Sequence, residues 1–170
     1  GYRAGDRLLL RLDGRETDLC RVGQVPLRGA HNLANVLTAA CCAMAGGATP
    51  EAMREAVRTF SGVAHRLEIV REVGGVTYVN DSIATSPERA IAALRAYREP
   101  LVLLAGGRDK NLPWEEWADL ALQRARVVIA FGEAAPIIEA ALAGARDRWP
   151  AGGDGLASVE RAVTMAEGVA

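Results

Sequence analysis

The residues best equipped for chemistry in this chain are few and clustered. Asn80-Asp81-Ser82 close a short β-branched run, with Thr85-Ser86-Pro87-Glu88 just beyond. Gly106-Gly107-Arg108-Asp109-Lys110-Asn111 close a second apolar run. His31, Asn32 and Asn35 sit together, and His65 precedes Arg66. The chain has nineteen Arg but one Lys, Lys110. A single Lys in an Arg-rich chain suits a site that wants a compact ammonium rather than a planar fork, and chance survival under compositional bias explains it as well. Asn32 and Asn35, three apart, share a helix edge where two amides can read the donor and acceptor pattern of a purine; the alternative is that Asn32 or His31 only caps the helix. His65-Arg66 can orient a nucleotide, with Arg66 on a phosphate, or form an ordinary ion pair. Thr85-x-x-Glu88 with Pro87 inside it has the form of a capping box, which gives Thr85, Ser86 and Glu88 a helix-start role. Asn80 and Asp81 lie too far back to cap and point to a ligand.

The elements that must hold these groups follow from periodicity. Residues 7–12 and 18–25, joined through Asp13-Gly14, are expected as a hairpin. Leu33, Val36, Leu37, Ala40, Cys41 and Met44 predict one face of a helix over 30–45, stopped by Gly46-Gly47. Thr49-Pro50-Glu51 starts a second helix, expected to turn Ala52, Ala56, Val57 and Phe60 inward, and Gly62-Val63-Ala64 reads as a hinge. Two strands, 67–73 and 76–80, turn at Gly74-Gly75. Helices are then expected at 87–97, 113–124, 134–143 and 158–168, with strands at 101–105 and 127–131, and a further strand beginning at 168–170. Apolar strands alternating with helices predict a doubly wound, mostly parallel α/β sheet covered on both faces over 65–170, with 1–62 the tail of a different domain. In such sheets ligands bind outside the carboxyl ends of the strands, where both polar clusters of the second part fall.

Composition excludes several classes. With 50% hydrophobic and 24% charged residues the chain is globular rather than disordered. A net charge of −1 without a basic block gives no reason to expect nucleic acid or a lipid surface. No apolar run approaches the roughly 18 residues of a membrane span. Cys20, Cys41 and Cys42 lack ligand spacing and read as core or boundary residues of a reducing cytoplasm. Neither G-x-x-x-x-G-K-[ST] nor G-x-G-x-x-G occurs, so a triphosphate cradle of those kinds is not in this stretch.

Four stretches in order, GAHNLAN (29–35), FSGVAHRLEIV (60–70), YVNDSIATSPE (78–88) and LLAGGRDKN (103–111), resemble the Mur ligase family, in particular its D-glutamate-adding members. The N-D-S-x-A-T string separates these from relatives adding other amino acids. The resemblance implies that residues 1–62 are the end of a central ATP-binding domain and 63–170 a truncated C-terminal Rossmann-like domain. It implies a cytoplasmic, monomeric enzyme of peptidoglycan precursor synthesis, with UDP-N-acetylmuramoyl-L-alanine, D-glutamate and ATP as substrates, Mg2+ as cofactor, and no nucleic acid or membrane insertion. By the same resemblance Asn32 and Asn35 contact adenine, Asp81 the ribose hydroxyls, His65 and Arg66 the nucleotide with Arg66 near its phosphates, and Thr85 and Lys110 a carboxylate of D-glutamate. Lys110, Arg66 and His65 are the catalytic candidates, and magnesium ligands are expected mostly outside this chain. Ile83 departs from the family pattern, in which many relatives carry Lys there, and Arg108 or Arg89 are candidates to compensate. The chain alone is expected to lack ligase activity. The alternatives are a Mur-type or folylpolyglutamate-type ligase for another amino acid, and a non-catalytic nucleotide-binding module.

Overall fold

The computed structural model describes residues 1–108, 110–149 and 158–169. They form two compact units, Gly1–Ile83 and Ala84–Ala170.

The first unit opens with an antiparallel sheet of β1 (Tyr2–Ala4), β2 (Arg7–Leu12) and β3 (Arg15–Arg21), in that order. Asp13 and Gly14 both have positive φ, 49° and 76°, as a two-residue hairpin turn matched to strand twist requires. That tight turn pairs Leu12 with Arg15 and Leu10 with Thr17, so β3 starts three residues earlier than the sequence suggested and ends at Arg21. Val22–Gln24 is a 3-10 turn rather than strand; Gln24 holds it by accepting the Arg21 N–H at 2.9 Å. Leu8, Leu10 and Leu19 share a core with the face of α1 (Ala30–Ala45), which runs through Leu33, Val36, Leu37, Ala40, Cys41 and Met44 as expected.

In α2 (Pro50–Thr59) the Thr49 hydroxyl accepts the Ala52 N–H and Pro50 fills the first turn. Its inward residues are Met53 and Val57, one turn apart, whereas Ala52 and Ala56 lie about 100° around the helix and are exposed. Phe60, also expected inside, caps the helix in extended conformation and is 49% exposed. The unit ends in a separate two-stranded hairpin, β4 (Glu68–Val73) and β5 (Val76–Asn80), turned at Gly74-Gly75 as expected.

The second unit is α/β. Its parallel sheet has the order β6 (Leu101–Gly106), β7 (Ala125–Phe131), β8 (Ser158–Ala162). One face shares a core with α3 (Pro87–Ala96), α4 (Glu115–Arg124) and α5 (Ala135–Arg148), built around Leu94, Leu122, Val128, Ile138 and Leu142, with Leu103 and Ala105 against it. The opposite face carries the short α6 (Met165–Val169), Gly168 against Ile129 and Leu104, and beyond it Val102 is 58% exposed. The apolar runs therefore alternate in burial although they do not alternate in residue type.

The helix expected over 158–168 is a strand followed by a helix. Val159 pairs with Val128, and Arg161 forms an ion pair with Glu139 of α5. A new start at Thr164, whose hydroxyl takes the Glu167 N–H while Glu167 takes the Val163 N–H, launches α6. Gly168 and Val169 thus end a helix, and Ala170 lies outside the described residues.

The two glycines ending the first apolar strand have a local explanation. A Cβ on Gly106 would stand 2.1 Å from the Phe131 carbonyl oxygen, and Gly107 has φ 107°. The Gly107 carbonyl in turn accepts the Ala134 N–H at 3.0 Å, tying the ends of β6 and β7 together. Gly106→Ala must therefore push β6 from β7 or unfold their ends. We expect a loss of about 3 kcal/mol, the upper end for overpacking, in urea unfolding, with Gly23→Ala, which has open space around it, close to neutral.

Candidate functional site

In the first unit the chemistry gathers around the loop at 62–67. Gly62, His65 and Leu67 have φ of 106°, 64° and 45°. For His and Leu such values cost on the order of 1 kcal/mol or more and persist only where the surroundings enforce them. The enforcement is visible. Val63 O accepts the Arg66 N–H at 3.1 Å, and Glu68 Oε2 accepts the His65 N–H at 2.7 Å. The His65 carbonyl accepts the Ile83 N–H at 3.2 Å, and Asp81 Oδ1 accepts the Leu67 N–H at 3.0 Å. Asn80 Nδ2 lies 2.9 Å from His65 Nδ1, while Asn80 Oδ1 accepts the Ser82 N–H at 3.0 Å.

Asn80 and Asp81 therefore do more than end a strand. They hold His65, Arg66 and Leu67 in a conformation the backbone alone disfavours, with one Asp81 oxygen committed to that task. Burial pushes the Asp81 carboxyl above its ordinary pKa; the Leu67 N–H and the nearby His31 and Arg66 charges pull it back only in part.

The start of α1 answers the question about its amides. Gly29, with φ 94°, occupies the N-cap position without a side-chain cap, so neither His31 nor Asn32 serves there. Asn32 is buried, 7% exposed; its Nδ2 donates to the Arg28 carbonyl at 2.8 Å and its Oδ1 accepts Asn35 Nδ2 at 3.2 Å. The shared edge exists, with Asn32 as its anchored inner member and Asn35 as its exposed one.

In the second unit the expected capping box does not form. Pro87 at the first helical position makes Ser86, not Thr85, the N-cap residue, and the Ser86 side chain makes no cap hydrogen bond. The Glu88 carboxylate instead takes its own backbone N–H and the Ser86 hydroxyl, which hold its pKa below the usual range. Thr85 is exposed and takes no part in starting the helix. Lys110 and Arg108 are exposed on the loop after β6, and Asp109 lies outside the described residues. Among the described residues no three His, Cys, Asp or Glu side chains converge as a metal-ligand set. No helix among them is long and apolar enough to cross a membrane. Glu68 is the positioning residue that sequence reasoning passed over; its only signal was its place three residues after His65.

Comparison with known proteins bears on what these groups serve. The profile of the Mur ligase, glutamate ligase domain, matches residues 65–170. The chain belongs to the Mur ligase family. It is 48% identical over 141 residues to the UDP-N-acetylmuramoylalanine--D-glutamate ligase of Roseiflexus sp. (strain RS-1), covering 81% of this chain and 30% of that protein. It is 41% identical over 165 residues to the enzyme of the same name from Symbiobacterium thermophilum, covering 97% of this chain and 34% of that one. The chain thus spans about a third of the length of these relatives. The fold matches a UDP-N-acetylmuramoylalanyl-D-glutamyl-2,6-diaminopimelate--D-alanyl-D-alanyl ligase from Acinetobacter baumannii at TM-score 0.66 and 20% identity, over 96% of this chain and 33% of that one. It also matches the UDP-N-acetylmuramate-alanine ligase MurC from Thermotoga maritima at TM-score 0.58 and 15% identity, over 88% and 37%. Within this Mur ligase chain the first compact unit ends at 83, whereas the family profile begins at 65; the β4–β5 hairpin and the loop from His65 onward lie between the two limits.

The raised pKa of Asp81 has a consequence for stability. Folding favours its protonated form, so its contribution is most favourable at low pH and declines as pH rises from the ordinary carboxylate value to the raised one. An Asn at 81 can still accept the Leu67 N–H without a charge to desolvate. Asp81→Asn is expected to unfold at an equal or higher temperature than the parent at pH about 7, with the difference shrinking below pH about 4, where the carboxylate is protonated in both states. A clear drop in midpoint at neutral pH would show that the fold itself needs the charge.

Proposed function

We propose that this chain is part of an ATP-dependent amide-bond ligase that adds D-glutamate to UDP-N-acetylmuramoyl-L-alanine in cytoplasmic peptidoglycan precursor synthesis. The observation that carries this reading is the identity, 48% and 41%, to two proteins that bear that activity in their names.

The chemistry has two stages. A carboxylate is a poor electrophile, so its oxygen first attacks the terminal phosphorus of ATP and ADP departs, leaving an acyl phosphate. The D-glutamate amine then adds to the carbonyl carbon, and the tetrahedral intermediate collapses with loss of inorganic phosphate and a proton. Each stage crowds anions together, and the catalytic demand is to place cations and hydrogen-bond donors where charge develops. Magnesium would offset part of that charge.

On this reading Asn35, steadied by Asn32, meets the adenine edge; Asp81 takes the ribose hydroxyls with the oxygen not committed to Leu67; and Arg66 faces the phosphates. His65 lies at the nucleotide. Thr85 and Lys110 hold a carboxylate of D-glutamate, the Lys as a compact point charge and the Thr as a hydroxyl donor. The exposure of both Thr85 and Lys110 suits contact with an incoming small anion. Ile83 favours a second reading, a ligase of this family for a different amino acid, because an apolar side chain stands where many D-glutamate-adding relatives carry Lys.

The deciding measurement is phosphate release by the longer protein that contains this chain, supplied with UDP-N-acetylmuramoyl-L-alanine, ATP and one of D-glutamate, L-glutamate, L-lysine or meso-diaminopimelate. Release is expected with D-glutamate alone. Lys110→Ala should lower kcat/KM for D-glutamate by about 10- to 100-fold, since a hydrogen bond between charged groups contributes about 1.5–3 kcal/mol. Release with another amino acid would replace the substrate; silence with all four would leave a nucleotide-binding module without catalysis.

A further inference from the structure

The loop carries one inference that rests on this nucleotide reading and deepens it. Two side-chain atoms of Asn80 face two different partners, and one of those partners has no choice of role. The Ser82 backbone N–H can only donate, so the Asn80 atom 3.0 Å from it must be the amide oxygen. The atom 2.9 Å from His65 Nδ1 is then the amide nitrogen, which also can only donate. His65 Nδ1 must accept, and in a neutral imidazole the proton must sit on Nε2. The opposite amide orientation would set donor against donor at Ser82.

Among the described residues Asn80 is the hydrogen-bond partner of Nδ1. Glu68 Oε2 is engaged by the His65 backbone N–H at 2.7 Å and stands 3.9 Å from Nδ1, beyond hydrogen-bond range. The His65 backbone is held on both sides by that bond and by the Ile83 N–H on its carbonyl, so the ring projects from a fixed base. Its side chain is 61% exposed, as a group that meets a ligand requires.

We propose that Asn80 is a positioning residue that fixes His65 as a neutral Nε2–H donor. The chemistry such a donor recognises is an acceptor on the bound nucleotide, an ether, hydroxyl or phosphate oxygen. With Nδ1 occupied and Nε2 protonated, neutral His65 has no lone pair to offer as a general base. It orients the nucleotide and does not move a proton.

The test is a long-range proton–nitrogen NMR correlation on this 170-residue chain at pH about 8, above the ordinary imidazole range. The chain has two His, so His31→Gln assigns the His65 signals. The parent is expected to show the Nε2-protonated pattern at His65. Asn80→Asp keeps an oxygen for the Ser82 N–H but presents an acceptor to the ring, so it should move the proton to Nδ1, giving the opposite pattern or a doubly protonated ring, with the unfolding midpoint little changed. An Nδ1-protonated or averaged ring in the parent overturns the proposal, and so does an unchanged pattern in Asn80→Asp. A titration with ADP in the same spectra separates the two levels. His65 signals that shift on binding, with affinity about tenfold weaker in Asn80→Asp, support the donor role. A fixed tautomer that ADP leaves untouched overturns the nucleotide as its target while leaving the role of Asn80 intact.

Discussion

The Asp81 carboxylate on the Leu67 N–H is the contact that the first unit's chemistry depends on. The segment 65–67 passes through left-handed backbone conformations at two residues that have side chains, and a chain left to itself would relax out of them. What prevents this lies 14 residues away in sequence, at the end of β5, where Asp81 fastens Leu67 and Asn80 meets the ring of His65. Asn80 ends β5 and Asp81 follows it, so two consecutive polar residues grip the side chain and the backbone of one short loop at once. Arg66, between the two gripped positions, is placed by both.

The second unit meets a similar need with different means. Its parallel strands end in close contact, Gly106 against the Phe131 carbonyl, and the next peptide reverses direction at Gly107. Removing side chains lets the two strand ends approach, and the loop bearing Lys110 leaves from that fixed point. Hydrogen bonds shape the first loop, and missing side chains shape the second. The second loop starts at the carboxyl end of β6, where the ladder stops, whereas the first runs from α2 into β4 and is held from the carboxyl end of β5.

Much of this was legible in the sequence. Local signals were reliable where one physical cause dominates: Gly46-Gly47 ends α1, Thr49 caps α2, and Gly74-Gly75 turns the β4–β5 hairpin. They failed where a tertiary partner decided. The stretch 158–168 is rich in helix formers, yet Ser158–Ala162 becomes a strand because β7 offers a free parallel edge. Ala52, Ala56 and Phe60 look as apolar as Met53 and Val57, but the neighbouring core accepts only one stripe of α2. The candidate loop shows the same division. Asn80, Asp81, His65 and Arg66 stood out by type, but the bonds joining them depend on a fold that brings 65–68 beside 80–83. Glu68 acts locally, on the His65 N–H, and offered only its spacing from His65 as a signal.

The same geometry explains why a carboxylate and an amide stand side by side at 80 and 81. The task at 80 requires a group that accepts on one side and donates on the other, and among small side chains the amide does this with both atoms fixed in a plane. The task at 81, seen from the backbone alone, requires only an acceptor, which an amide would supply without charge. A carboxylate is retained there although burial works against it. On the proposed function its second oxygen is where that cost finds a use, because an anionic oxygen accepts strongly from a hydroxyl in a way a neutral amide does not. The pair thus divides its duties by chemistry: Asn80 completes the architecture of the loop, and Asp81 holds the loop with one oxygen, which on the proposed function leaves the other for a ligand hydroxyl.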